Sequence, residues 1–448
     1  VKTFFTKFYK NLFLNRRLFA GLAISSLLFL IGFFFPWFSI IPVVFFYALI
    51  ILLILDLWVL YSLKQGIIAT RQIADKLSNG DENEIGIVIK SLYTFKVDVG
   101  IIDEIPFQFQ KRDVWFQTTL KHLQQQIIPY MLRPTKRGEY EFGNLLVYVS
   151  SPLGLLSRRY VFNESKVLPV YPAFLQMRKY ELMAISNRLN EIGIKKIRRF
   201  GNSAEFEQIK NYVPGDDYRT INWKATARKG EFMVNSYIEE KSQHVYCVID
   251  KSRVMKMPFE GLSLLDYAIN SSLVLSSVAL FKEDKAGLIT ISDKKGAVIP
   301  ADNRPTHLNK IMEVLYREKT RYLETNTELL YNTIRHTLKQ RSLVVYFTNI
   351  ESLSALKRQL PFLKQISKFH LLLVVFFENT SLKTLSETPA KDVASIYTKT
   401  IAEKFVYEKK QIVKELNNHG IQSILTSPQN LTVNTINTYF QIKAAQKI

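Results

Sequence analysis

Two long apolar runs open the chain. Leu18 to Phe35 contains no charged residue, and Ile40 to Tyr61 contains one, Asp56. As helices at 1.5 Å per residue they reach about 27 and 33 Å, enough for a hydrocarbon core of roughly 30 Å. Pro36 and Pro42 bracket a very short turn without Lys or Arg. The pattern predicts a transmembrane hairpin over 1–63. From Lys64 to Gly80 it predicts a helical exit and a polar linker. Over 81–172, short segments such as "EIGIVIKS", "FKVDVGIID" and "LLVYVSS" alternate apolar and polar residues between Gly, Pro, Asn and Asp. Period two bounded by turn formers predicts strands, about seven here, and a small β-sandwich. From 244 to 448 the period changes. Continuous apolar strands such as "HVYCVID" and "LVVYF" alternate with helical segments, among them the amphipathic "LLDYAINSSLVLSSVALF". That alternation predicts a doubly wound α/β domain. Residues 173–243 connect the two parts. The fold class is therefore α/β plus β behind a membrane hairpin.

Charge sharpens the membrane reading. Over 448 residues, 60 Lys and Arg stand against 39 Asp and Glu, a formal net charge of +21. Such a balance suits nucleic acid, an anionic membrane surface or an acidic partner. No helix-turn-helix or zinc spacing accompanies it, so nucleic acid is set aside. Lys2, Lys7, Lys10, Arg16 and Arg17 precede the first apolar run, and Lys64, Arg71 and Lys76 follow the second. The positive-inside rule puts both ends in the cytoplasm. A cleaved signal peptide is disfavoured by the second run. Asp56, near the inner end, reads as an interfacial acid. The arginines of "SPLGLLSRR" and the run Lys195, Lys196, Arg198, Arg199 read as solvated, the latter also suited to acidic lipid. Cys247 is the single cysteine, which excludes an internal disulfide.

The densest chemistry lies in "NYVPGDDYRTINWKATARKGEF", Asn211 to Phe232. Pro214 and Gly215 predict a turn. Asp216 or Asp217 is placed to cap a helix from Tyr218 to Lys229, with Gly230 as its stop. On that helix Arg219 and Trp223 fall at i, i+4, a spacing suited to stacking, and Lys224 and Arg228 form a cationic pair of positions at the same spacing near the C-terminal dipole. Asn222 lies between them. The acids have no identifiable nucleophile partner, and a phosphate loop would need more glycines and a Lys-Ser/Thr ending. The stretch reads as a structural lock and contact surface. Docking of an acidic partner through Arg219, Lys224 and Arg228 is an alternative, and catalysis through Asp216 and Asp217 a weaker one.

"YVPGDDYRTINWKATARKGEFMV", with "RGEYEFGNLLVYVSSPLGLLSRR" upstream, closely resembles the signature of the domain of unknown function 58 family. Two membrane spans, a β-rich middle and a von Willebrand factor type A-like C-terminal domain are that family's usual layout. The resemblance implies a bacterial inner-membrane protein. It also implies a scaffold or adaptor working with a MoxR-type AAA+ ATPase and other type A proteins in chaperone-like or envelope assembly. No Walker motif is present, so ATP hydrolysis would fall to the partner. "DKSRVM" after the first strand is similar to the entry of the type A metal site. Asp250 and Ser252 match, Val254 replaces the second Ser, Thr306 stands for the loop Thr, and Thr348-Asn349 occupy the place of the later acid. The expectation is a non-enzymatic protein without a cofactor. A Mg²⁺-dependent adhesion module at Asp250, Ser252 and Thr306 is the alternative, and an envelope enzyme the second.

Overall fold

A computed structural model describes residues 11–111, 114–185, 204–214, 216–239, 242–389 and 392–445. The chain forms two compact units, Val1–Tyr171 and Pro172–Ile448. It is a mixed α/β protein with two apolar N-terminal helices and several β-sheets.

The two apolar runs are the helices Arg16–Phe34 and Ile40–Tyr61, joined through a short 3₁₀ turn at Pro36–Phe38. Both are long and apolar enough to cross a membrane, and most of their surface lies outside the protein core. Leu18 and Leu60, at one end of the pair, are instead buried with Val97, Val99, Ile101, Val147 and Val149 of the β-structure.

The β-structure begins earlier than expected. Residues 64–80 are not a linker. Ile67–Gln72 pairs antiparallel with Asn83–Ser91, and Leu77–Ser78 pairs with Lys166–Tyr171. Even Leu12–Leu14 is a strand, on Leu156–Arg158. A five-stranded and a three-stranded sheet share one core, in which Ile67, Ala69, Ile87 and Ile89 meet Val97, Val99, Ile101 and Val147. Alternation is strict: Val97, Val99 and Ile101 are buried, while Asp98 and Gly100 point away. A third sheet closes a smaller core around Tyr140, Phe142 and Leu168.

Polar groups fasten the helix pair to this β-structure. Asp56 is fully buried. It is not the interfacial acid expected, for its carboxylate accepts from Ser151 Oγ and from the amides of Leu155 (3.0 Å) and Leu156 (2.8 Å). Asn15, preceding the first helix, donates to Ser150 Oγ and Gly154 O, each 3.2 Å away. Arg17 donates to the carbonyls of Pro152 and Leu153. One turn, Ser151–Leu155, is thus held by both helices. Arg158, expected as solvated, donates to the carbonyls of Leu60 (2.9 Å), Leu63 (2.7 Å) and Lys64 (2.9 Å). It thereby satisfies carbonyls that the helix end leaves open. Its guanidinium lies 4.4 Å from the ring of Tyr61 and 4.5 Å from that of Tyr160. Arg71 leaves the positive flank altogether. It is buried against Asp103 and donates to the carbonyls of Glu164 and Gly143, while Tyr130 Oη donates to the same carboxylate.

In the second unit, six strands lie in the order Lys295–Asp302, Lys285–Ile291, His244–Asp250, Leu343–Phe347, Leu371–Phe377, Gln422–Thr426. All neighbours are parallel except the antiparallel edge strand Lys295–Asp302. Side chains on one face, such as Val248, Val344 and Val374, pack against the helices Thr327–Thr337, Leu353–Phe369 and Val393–Asn418. Cys247, on the other face, meets Ser272 and Ser276 of the helix Leu264–Phe281. That helix is buried nearly all round rather than amphipathic. It packs against the sheet on one side, and against Phe174–Ile185 and Leu431–Ala444 elsewhere. The segment expected to link domains therefore adds a helix to the second unit. Ala173 N donates to Asn270 Oδ1 at 3.0 Å, and Ser277 Oγ donates to Glu181.

Candidate functional site

The motif is an arm built on a two-stranded antiparallel ribbon, Ala204–Asn211 with Met233–Glu239. The single helix expected from Tyr218 to Lys229 is broken in two. A 3₁₀ turn occupies Tyr218–Thr220 and a short α-helix occupies Trp223–Lys229. Each has its own cap. Asp217 Oδ1 accepts from Arg219 N at 3.0 Å, and Asn222 Oδ1 accepts from Ala225 N at 3.0 Å. Two Asx caps so close together let the chain reverse twice, which one helix would forbid. Ile221, between them, forms a bridge to Val234 instead of a helical face. Gly230 ends the helix at φ +76°, the left-handed stop expected of a glycine. Gly215 and the run Lys195 to Arg199 lie outside the described residues.

The acids serve the backbone. Asp216 accepts from Val213 N and from Lys210 Nζ, both at 3.1 Å. The Val213 amide, and then Lys210, hold its carboxyl below the usual range, so it stays ionised. A general acid needs the opposite shift. Asn222 also donates to Asn235, Lys229 to Asn211, and Met233 N to Thr226 Oγ1. Asp216, Asp217, Asn222, Thr226 and Lys229 thus all find hydrogen-bond partners within the arm.

Trp223 and Tyr218 are each 68% exposed and Phe232 57%, although Trp223 and Tyr212 both meet the Phe232 ring edge-on at 6.4 Å. Arg219 stacks on Tyr218, 5.7 Å away, rather than on Trp223, because the two positions are no longer on one helix. Arg219, Lys224 and Arg228 are exposed as well.

The second candidate lies at the carboxyl ends of the six strands. Asp250 is buried. Its Oδ1 accepts from Ser252 N (2.9 Å) and Thr325 Oγ1 (2.6 Å), and its Oδ2 from Thr348 Oγ1 (2.7 Å). Burial pushes its pKa upward against these hydrogen bonds. Ser252 Oγ is buried and has no partner among the described residues. Thr306 is not at this site; it is exposed, just before the helix His307–Arg317. Thr325 takes the place expected of it, because Lys319–Thr325 folds back over the strand ends. Arg321 N donates to Lys251 O, and Arg253 N to Leu323 O. The signal for Thr325 in the sequence was weak: "TNTE" with its Asn cap, one helix later than "PTHL". Sequence reasoning also missed Lys409, which donates to Asn349 Oδ1 (2.8 Å) and Ile350 O (2.6 Å).

Mg²⁺ requires near-octahedral oxygen ligation. The groups here fit it poorly. Asp250 is the one carboxylate, Val254 offers no side-chain oxygen, and the hydroxyls of Thr325 and Thr348 are directed onto Asp250. Among the described residues no group of three or more His, Cys, Asp or Glu side chains converges.

These features are those of a mixed α/β protein with two helices long and apolar enough to cross a membrane, in which Asp216, Asp217 and Asp250 each accept a backbone amide. Residues 208–375 match the family described as "Protein of unknown function DUF58". The uncharacterized protein YeaD of Bacillus subtilis (strain 168) is 24% identical over 201 residues. That match covers 45% of this chain and 46% of YeaD, so the chain spans about half the length of its curated relative. Among solved structures, the conserved hypothetical protein BatB from Bacteroides thetaiotaomicron aligns with 46% of this chain and 99% of its own, at 13% identity and a TM-score of 0.29. The ASH/PapD-like domain of human CEP192 aligns with 24% of this chain and 87% of its own, at 12% identity and a TM-score of 0.19. Neither likeness is close enough to bear on fold or function.

Proposed function

We propose that this protein is a non-enzymatic scaffold or adaptor, anchored in the bacterial inner membrane by its two apolar helices with both termini cytoplasmic. Its arm docks a partner, a MoxR-type AAA+ ATPase or another von Willebrand factor type A protein, which supplies any ATP hydrolysis. The observation that carries this reading is the arm itself: its Asp and Asn side chains are engaged within it, while Tyr218, Trp223 and Phe232 are exposed, as are Arg219, Lys224 and Arg228. Aromatic and Arg side chains are the usual anchors of protein interfaces. The second unit's strand order and antiparallel edge strand favour a type A-like domain, in which Asp250 shapes the strand-to-loop turn without metal. The test is capture from detergent-solubilised membranes with the intact chain and its Trp223→Ala variant. Enrichment of an AAA+ ATPase that the variant loses supports the proposal. Equal recovery by both, or no ATPase with either, refutes it. The Mg²⁺-dependent reading rests on Ser252 Oγ alone, and calorimetry without heat from Mg²⁺ or Mn²⁺ would end it.

A further inference from the structure

A cavity of about 220 Å³ opens where the strands Leu343–Phe347, Leu371–Phe377 and Gln422–Thr426 end. In parallel sheets with helices on both faces, this is the side on which ligands bind. Its walls are apolar, including Met257, Phe259, Phe377, Leu382 and Phe405. Lys409 reaches into it from the long helix Val393–Asn418. An ammonium has three protons to donate. Two are directed onto Asn349 Oδ1 and Ile350 O, which leaves one for an occupant. Burial lowers the pKa of Lys409 to about 8, outweighing the Glu351 and Glu408 carboxylates, which act in the opposite direction. Thr380 and Ser381 line the opposite wall and form the first turn of the helix Thr380–Glu387, whose dipole also favours a negative group. Of the acids at the rim, Glu378 is engaged by Lys383 at 3.4 Å. Glu351 is exposed, and Lys410 adds an exposed cation.

We propose that this cavity binds a small carboxylate with an apolar body, the carboxylate on Lys409 and the first turn of Thr380–Glu387, the body against Phe377, Leu382 and Phe405. The site is separate from the arm and independent of the partner assigned to it. The volume suits one aromatic or short aliphatic acid rather than a long acyl chain.

The experiment is ¹⁹F NMR on the full chain in detergent, with N-acetyl-4-fluorophenylalanine as the probe. Saturable line broadening is expected, at least fivefold weaker for the corresponding amide and absent for 4-fluorophenethylamine. Ser381→Trp, which keeps Lys409 and fills the mouth, should abolish it. Lys409→Met should weaken it at least tenfold, with thermal unfolding confirming that the variant folds. Affinity for the acid should fall as pH rises through about 8, since Lys409 loses its charge there. Equal binding of acid and amide, stronger binding of the amine, or broadening that survives Ser381→Trp would overturn the assignment.

Discussion

Around Ser151–Leu155, side chains from two apolar helices turn inward and saturate one short turn. In the arm from Asn211 to Val234, side chains of the same kinds also saturate the backbone, but the aromatic rings are left outside. Asp and Asn do the fastening in both places, joined by Ser and Arg at the turn and by Thr and Lys in the arm. What differs is the destination of the apolar surface. At the turn it joins a core with Leu18, Leu60 and Leu155. In the arm it remains in water, where it stabilises nothing until something covers it. Polar fastening alone therefore does not mark a functional site; polar fastening that holds apolar surface in solvent does.

That contrast is open to direct attack, beginning where the effect is largest. Arg71→Met should cost about 3–5 kcal/mol, because it strands the buried Asp103 carboxylate. Adding Asp103→Leu should restore most of it in denaturant unfolding of the detergent-solubilised chain. Asp56→Ala should cost about 3 kcal/mol by leaving three buried donors without an acceptor. A loss under 1 kcal/mol would mean that the helix pair is merely tethered to the β-structure. Lys409 provides a pH test. The unfolded chain keeps this proton up to about pH 10.5, whereas the folded chain releases it near 8. Between those values the unfolded state binds more protons, so this group makes stability rise with pH, by on the order of 3 kcal/mol. The slope should vanish in Lys409→Met. Asn222→Ala should cost about 1 kcal/mol, the usual worth of a cap, and should loosen the aromatic cluster with it. Trp223→Ala should change stability by less than about 0.5 kcal/mol, yet remove partner capture. If Trp223→Ala instead unfolds the second unit, the arm is structural and the comparison fails.

The sequence disclosed the elements whose periodicity is long. Both apolar helices, the strands 97–103 and 145–150, and the strand–helix alternation after 244 were readable because each repeats its pattern over several residues. Leu12–Leu14 was not, since three residues carry no period and the strand exists only through its pairing with Leu156–Arg158. Arg71 looked like a flanking cation because nothing local announces that Asp103, 32 positions away, will bury it. Asp56 misled for the same reason. Within the motif, the caps were legible but the break at Ile221 was not; a β-bridge to Val234 overrode helix propensity. Thr325 and Lys409 reach the strand ends through loops and helices whose course only the fold determines.

The helix Leu264–Phe281 has a consequence for how the chain divides between lipid and protein. By length and composition it could cross a membrane like the two before it, yet 83% of it is enclosed by protein. Among the described residues three segments are thus oily enough to compete for lipid, and one of them is taken up by protein instead. Asp266, Asn270 and the serines at 271, 272, 276 and 277 weaken its claim on lipid and leave the sheet as its better solvent.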